Sequence, residues 1–167
     1  MWLRHLFAIA VLPFTAAILI PVLIARRNAT TLAVGDSPGA VLIQLGGVSL
    51  FAVGLLLFVQ SLRRFASEGK GTLAPWDPPR ALVVRGPYRF VRNPMISGVV
   101  FVLFGEAAVL ASRPHAVWAV LFLAANAIYI PLLEEPMLAA RFGASYEEYR
   151  RHVPRFLPGL RPWSRSQ

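Results

Sequence analysis

Four runs of apolar residues, each close to the length of a bilayer crossing, alternate with short stretches crowded with arginine, proline and glycine. The runs are about Leu6–Ala25, Ala40–Leu62, Met95–Ser112 and Ala116–Leu133. A helix crosses the hydrocarbon core of a bilayer with roughly 20 apolar residues, so each run predicts a membrane-crossing helix. Pro13 or Pro21 predicts a bend in the first. Arg4 ahead of that run gives it the look of a secretory signal. Its apolar core is too long for one, and Arg26-Arg27 follow where a small-residue cleavage site belongs, so a retained helix is expected.

The last two runs are separated by only a few residues and must fold back as an antiparallel hairpin. Beyond them, the chain predicts short helices. Glu134-Glu135-Pro136 begins one, since proline is tolerated in a first turn, and Gly143 is placed to end it. Ser145 with Glu148 has the spacing of a capping box, and Glu147 with Arg151 that of an i,i+4 ion pair. Pro154 and Pro158 stop further helix. No internal repeat breaks the chain, so residues 1–167 are expected to form a single membrane domain. Within it, 1–70 carry two N-terminal transmembrane helices and 71–162 the functional core. The expected fold class is therefore all-α integral membrane, with about four transmembrane helices, a cytoplasmic loop and short C-terminal helices.

Composition sharpens this picture. The chain is 56% hydrophobic and 15% charged, with a mean hydropathy of +0.57, whereas soluble domains carry about a quarter charged residues. A net charge of +9 raises nucleic acid as a partner. The arginines, however, cluster between apolar segments rather than along a polar face, which fits charge held at one membrane surface and predicts no nucleic-acid binding. Arg63, Arg64, Lys70, Arg80, Arg85, Arg89 and Arg92 lie between the second and third runs, and Arg141, Arg150, Arg151, Arg155, Arg161 and Arg165 follow the fourth. The positive-inside rule puts both regions and both termini in the cytoplasm. Arginine so outnumbers lysine that a bacterial inner membrane is the expected location. Cysteine is absent, which removes disulfides, thiolate metal sites and cysteine nucleophiles. His5, His115 and His152 have no metal-site spacing, and no metal is expected.

Counting outward from Pro114 sets Met95 level with Leu133 and Asn93 level with Glu135. Two polar clusters distant in sequence thus become halves of one site at the cytoplasmic surface. One half offers a helix N-terminus with Arg89 and Arg92, which favours a carboxylate or phosphate. The other offers Glu134 and Glu135, which favour an ammonium or sulfonium. A ligand with both signs of charge and a flat apolar part suits the pair, and S-adenosylmethionine is such a molecule. The plain alternative is that Asn93-Pro94 is an ordinary helix start, the arginines touch lipid phosphate, and the glutamates cap a helix or pair with them. Glu106 falls about eleven residues into the third helix, roughly 16 Å along it, where an ionisable group is functional by default. Against that stands a protonated glutamate hydrogen-bonded to Asn126, Gln44 or another buried polar group. Gly98 and Gly105, seven apart, predict close helix packing.

The string RALVVRGPYRFVRNPMISG, followed after one hairpin by EEPMLAARFGASYEEYRRHVPRFLP, resembles the isoprenylcysteine carboxyl methyltransferase and phospholipid methyltransferase superfamily. The resemblance covers about residues 71–162. It implies an integral-membrane methyltransferase that uses S-adenosylmethionine at its cytoplasmic face. Matched position by position, it implies cofactor contacts from Arg80, Ala81, Leu82 and Val83, from Tyr88, from Asn93, Pro94, Met95 and Ile96, and from Glu134. Arg92 and Glu135 belong to the same motifs. Glu134, Glu135 and Asn93 are the candidate catalytic residues, with Tyr146 a further group able to assist deprotonation. Arg80 and Asn93 stand where relatives have histidine, and Ile96 where they have tyrosine. Asn93 keeps hydrogen-bonding capacity but cannot shuttle a proton. Ile130 stands where prenylcysteine enzymes hold an arginine, which argues against a prenylcysteine carboxylate as acceptor.

Methyl transfer from a sulfonium is an in-line displacement that needs alignment and exclusion of water more than acid–base help. The expected partners are therefore membrane lipid and a lipophilic or small-molecule methyl acceptor. Two other readings remain at this level. A sterol-reductase-type enzyme binding NADPH shares an Arg-His-x-x-Tyr stretch and a Tyr-x-x-Tyr-x-x-x-Val-Pro pattern, although this chain is much shorter than those enzymes. A non-catalytic four-helix membrane protein would merely bind anionic lipid.

Overall fold

The computed structural model describes residues 10–69 and 81–164, and among them there are helices, turns and extended linkers but no strand. A π-helical segment, Ala10–Leu19, runs into α1 (Ile20–Arg27). Then come α2 (Pro38–Glu68), a 3-10 turn at Gly86–Arg89, α3 (Pro94–Val109) and α4 (Arg113–Tyr129). A π turn, Ile130–Glu134, carries α4 into α5 (Glu135–Phe142), and α6 (Ala144–His152) follows.

α2 starts where Ser37, in an extended conformation, accepts a hydrogen bond from the Ala40 N–H at 3.2 Å, with Pro38 in the first helical position. Its 31 residues reach about 46 Å, more than a hydrocarbon core requires. Leu42, Ile43, Leu45, Val53 and Leu56 all stand exposed on it. A helix that turns such residues outward has lipid for its solvent. The run Arg113–Phe142 is the second that is long and apolar enough to cross a membrane. At 16 residues, α3 reaches only about 24 Å. Of the four expected crossings, two helices thus meet the length on their own among the described residues. The first expected segment is described only from residue 10, and there the irregularity expected of Pro13 takes the form of π-type pairing.

α3 packs chiefly on α2 and less extensively on α4. The reason is a seam of small residues. A Cβ added to Gly54 would lie 2.7 Å from the Gly98 carbonyl oxygen, and one on Gly98 would lie 2.8 Å from that of Gly54. One turn-pair away, Gly47 and Gly105 face each other at 3.0 and 2.8 Å by the same measure. Backbone thus meets backbone over two helical turns. In lipid, where burying apolar surface gains little, such packing is what holds helices together. The residues 110–112 then turn the chain from α3 into α4 as the hairpin requires.

Two expectations for the tail are corrected. α6 is preceded by Gly143, at φ 53°, and begins at Ala144 without a side-chain cap. The left-handed glycine sets the boundary, so Ser145 already lies in the first turn rather than at the cap. Glu147 pairs with Arg150 at 2.8 Å, three residues on, instead of with Arg151.

The seam predicts unequal effects of two glycine substitutions. Gly98→Val forces the helices apart and is expected to lower the thermal unfolding midpoint in detergent by several degrees. Gly46, whose added Cβ would meet nothing within 4 Å, tolerates Ala with no loss, because helix propensity favours it by up to about 1 kcal/mol.

Candidate active site

Residues 153–163 double back across the start of α3 as an extended strap. The Arg92 N–H donates to the Pro154 carbonyl at 2.8 Å and the Asn93 N–H to that of Arg155 at 3.3 Å. Ser97 Oγ donates to the Phe156 carbonyl at 2.6 Å. The Gly159 N–H donates to Phe90 O at 2.8 Å and the Trp163 N–H to Arg89 O at 2.9 Å. Pro154 and Pro158 keep this stretch out of a helix, which leaves its backbone groups free to pair with the loop before α3. Asn93 sits in the N-cap position, yet its side chain makes no cap bond. Its Nδ2 donates to the Arg155 carbonyl at 3.2 Å, and its own carbonyl accepts from the Ser97 N–H at 2.9 Å.

Under the strap lies a buried ion cluster. Glu135, 3% exposed, accepts from Arg155 Nε at 2.7 Å and from Arg155 Nη2 at 2.9 Å, one on each oxygen. Arg92 Nη1 lies 2.9 Å from Glu135 Oε1, close enough for an ion pair but without hydrogen-bond alignment. Nε and Nη1 of Arg92 remain buried with no hydrogen-bond partner, as does the hydroxyl of Tyr88. Tyr149 donates its own hydroxyl to the Tyr88 carbonyl at 2.7 Å.

Beside the cluster opens a cavity of about 950 Å³. Ala81, Leu82, Val83, Tyr88, Arg92, Asn93, Pro94, Met95, Ile96 and Glu134 all line it. These are all the expected cofactor contacts except Arg80, which lies outside the described residues. Val83 packs on Phe65 and Tyr88, while Leu82 and Val84 turn toward Tyr146, Tyr149 and Val153. That alternation is what an extended segment produces. The opposite wall is apolar and comes from the first segment and from α2, α3 and α4: Ala16, Ile20, Phe58, Val99, Trp118 and Phe122. Trp118 Nε1 donates to the Ala16 carbonyl at 2.9 Å and fixes that wall.

The π turn decides which glutamate faces which neighbour. Pro131 has no N–H to give the helix, and the wider turn over Ile130–Glu134 accommodates this. Glu134 then lines the cavity, and Glu135 turns into the ion cluster. The structure thus brings Asn93 and Glu134 to one cavity and keeps Glu135 out of it. Arg89 is likewise directed elsewhere, since its Nε donates to the Trp163 carbonyl at 2.8 Å. Ile130 is fully buried, so a packed aliphatic side chain occupies that position. The expected bond from Glu106 to Asn126 or Gln44 is not formed. Asn126 Nδ2 donates to the Phe122 carbonyl, Gln44 bonds Ala33, Gly35 and Val109, and Glu106 Oε2 is buried without a partner. Sequence reasoning missed the roles of Arg155, Ser97 and Trp163: Arg155 lies in the RHVPRFLP string and Ser97 in the RNPMISG string, but neither string names a partner, and nothing marked Trp163.

Three tyrosines bound the polar end. Burial pushes the Tyr88 phenol up strongly, and the charges of Tyr149 and Glu134 add to this. Tyr146 is pushed up to about 12, first by burial and then by Glu135, with Arg92 opposing. Tyr149 is raised chiefly by burial, again against Arg92. All three stay neutral through ordinary pH, and Tyr146 is therefore a poor proton acceptor.

Comparison with known proteins identifies the family. The family model described as phospholipid methyltransferase matches residues 42–145. The chain is also similar to methanethiol S-methyltransferase 2 of Bradyrhizobium diazoefficiens, 37% identical over 76 residues, a match spanning 44% of this chain and 27% of that protein. No solved structure matches.

The raised phenols predict how stability responds to alkali. The unfolded chain loses phenolic protons near pH 10 while the folded Tyr146 holds its proton to about pH 12. The stabilisation is therefore complete below pH 10 and lost as pH rises through 12. Thermal unfolding in detergent is expected to fall steeply over that range, and Tyr146→Phe to flatten the slope.

Proposed function

This chain belongs to the phospholipid methyltransferase family, and from that premise we propose that it transfers a methyl group from S-adenosylmethionine to a lipid or small apolar acceptor within the membrane. The observation that carries the reading is the shared cavity: every described residue expected to hold the cofactor lines it, beside an apolar wall. Its volume of about 950 Å³ lies at the upper end of the ~300–1,000 Å³ usual for ligand sites, which leaves room for a cofactor together with a small acceptor.

The residues present fit the cofactor's chemistry. The Nε–H of Arg92 and the Tyr88 hydroxyl, both without a hydrogen-bond partner, are buried groups that a carboxylate and a polar ligand edge would satisfy. Glu134 supplies the negative charge suited to an ammonium or sulfonium. When bound, S-adenosylmethionine supplies an electrophilic methyl group on a positively charged sulfur. The chain itself has to orient and to exclude water. Phe58, Val99, Trp118 and Phe122 form a wall that does both for an apolar acceptor. Of the groups expected to assist deprotonation, Glu135 is held by two arginines and Tyr146 keeps its proton, which leaves Glu134. The arginine-rich segments around the site support a cytoplasmic face in a bacterial inner membrane. The printed activity of the similar protein puts small thiols among the acceptors to try.

Calorimetry on purified full-length protein tests the reading. S-Adenosylhomocysteine is expected to bind, and Glu134→Ala to weaken it by tenfold or more. Binding of NADPH instead would establish the reductase reading, and binding of neither, with anionic lipid retained through Arg92, would establish a lipid-anchoring role. Methyl-labelled cofactor incubated with native lipid extract and with small thiols identifies the acceptor.

A further inference from the structure

Arginine and carboxylate side chains commonly pair through two parallel hydrogen bonds. Glu135 has two guanidiniums within reach, and the one that takes this geometry is the more exposed. The Arg155 side chain is 35% exposed and that of Arg92 only 9%. Arg155 covers Oε1 at 2.7 Å and Oε2 at 2.9 Å, while Arg92 approaches the already occupied Oε1. The more deeply buried cation is thereby left with Nη1 in an ion pair that lacks hydrogen-bond alignment and with Nε bonded to nothing. Unpaired buried donors are costly and rare, so this arrangement makes sense where something else is to be bound. Arg92 lines the cavity and Arg155 does not.

We propose that Arg155 is a positioning residue: by holding both oxygens of Glu135, it limits that carboxylate to one poorly aligned contact with Arg92 Nη1 and keeps the Arg92 Nε–H available to an anionic group in the cavity. The inference rests on the methyl-transfer reading only for the identity of the ligand. Arg155 reaches this place because the strap carries its backbone onto Asn93, through the bonds from Asn93 N and Nδ2 to its carbonyl. One residue thus joins the strap to the loop before α3 and its side chain to the end of the hairpin.

The test uses full-length protein in detergent. Arg155→Gln frees Glu135 to take Arg92, and affinity for S-adenosylhomocysteine is expected to fall by tenfold or more. Methylthioadenosine, which lacks the carboxylate, is expected to bind both proteins within about threefold. Adding Glu135→Gln to Arg155→Gln removes the captor and is expected to restore most of the lost affinity. A merely structural arginine predicts the reverse, a deeper loss in the double variant. Arg155→Lys, which keeps the charge but covers a single oxygen, is expected to give an intermediate loss. Wild-type affinity in Arg155→Gln or Arg155→Lys, or a double variant weaker than the single, overturns the proposal.

A second readout needs no cofactor. In arginine-labelled protein, the NMR signal of the Arg92 Nε–H is expected to shift and to exchange more slowly with water in Arg155→Gln and Arg155→Lys. An unchanged signal overturns the role of Arg155 even if S-adenosylhomocysteine binds. Absence of S-adenosylhomocysteine binding in the wild type, together with a shifted signal, overturns the methyl-transfer reading alone.

Discussion

A single carboxylate buried between two guanidiniums organises the polar end of this protein. Glu135 belongs to the segment after the hairpin, Arg92 to the loop before α3, and Arg155 to the strap. Taking a carboxylate out of water is expensive, and removing one partner from a buried pair commonly costs about 3–5 kcal/mol. The three segments are therefore bound to one another through the charge they share. Desolvation also explains the neighbouring tyrosines, which lie in the same poorly solvated region and keep their protons. Polar chemistry at the mouth of an apolar helix is tolerable because most of its members satisfy one another, the exceptions being the Arg92 Nε–H and the Tyr88 hydroxyl.

The other end of the design is apolar and works by contact rather than charge. Gly47, Gly54, Gly98 and Gly105 let α2 and α3 approach until backbones touch, which fixes where α3 begins relative to the rest. Asn93 and Pro94 stand at that beginning, so packing deep in the helices sets the position of the cavity rim. The π turn at Ile130–Glu134 makes the complementary adjustment on the facing helix. Consecutive glutamates on a helix differ by about 100° in direction, and here one lines the cavity while the other meets the arginines.

Much of this was legible in the sequence. The apolar runs, the short link near Pro114 and the spacing of Gly98 and Gly105 are periodic or local signals, and they yielded the helices, the hairpin and the seam. The residues between Ala81 and Ile96 that resemblance marked, and Glu134, share one cavity; resemblance marks positions directly. What stayed hidden depended on orientation or on long-range pairing. No pattern separates the directions of Glu134 and Glu135, since a π turn leaves no periodic trace beyond the proline within it. The strap binds through backbone groups, which every residue has, so its partners cannot be read from side-chain identity. Ser145 looked like a cap because the spacing rule is local, whereas the left-handed Gly143 already ended one helix and opened the next. Glu106 failed to find Asn126 or Gln44 because both had backbone carbonyls nearer at hand.

The strap has a consequence for biogenesis. Ribosomes deliver residues 153–163 after every helix described here, and the bonds these residues make reach back about sixty positions, to Arg92, Asn93 and Ser97. A nascent chain halted just past α6 would already possess its glycine seam and its hairpin, inserted and packed. It would still lack the guanidinium that settles Glu135. Completion of the cavity's polar end is thus a late event, in which the packed helices wait for the last stretch of chain to fold down upon them.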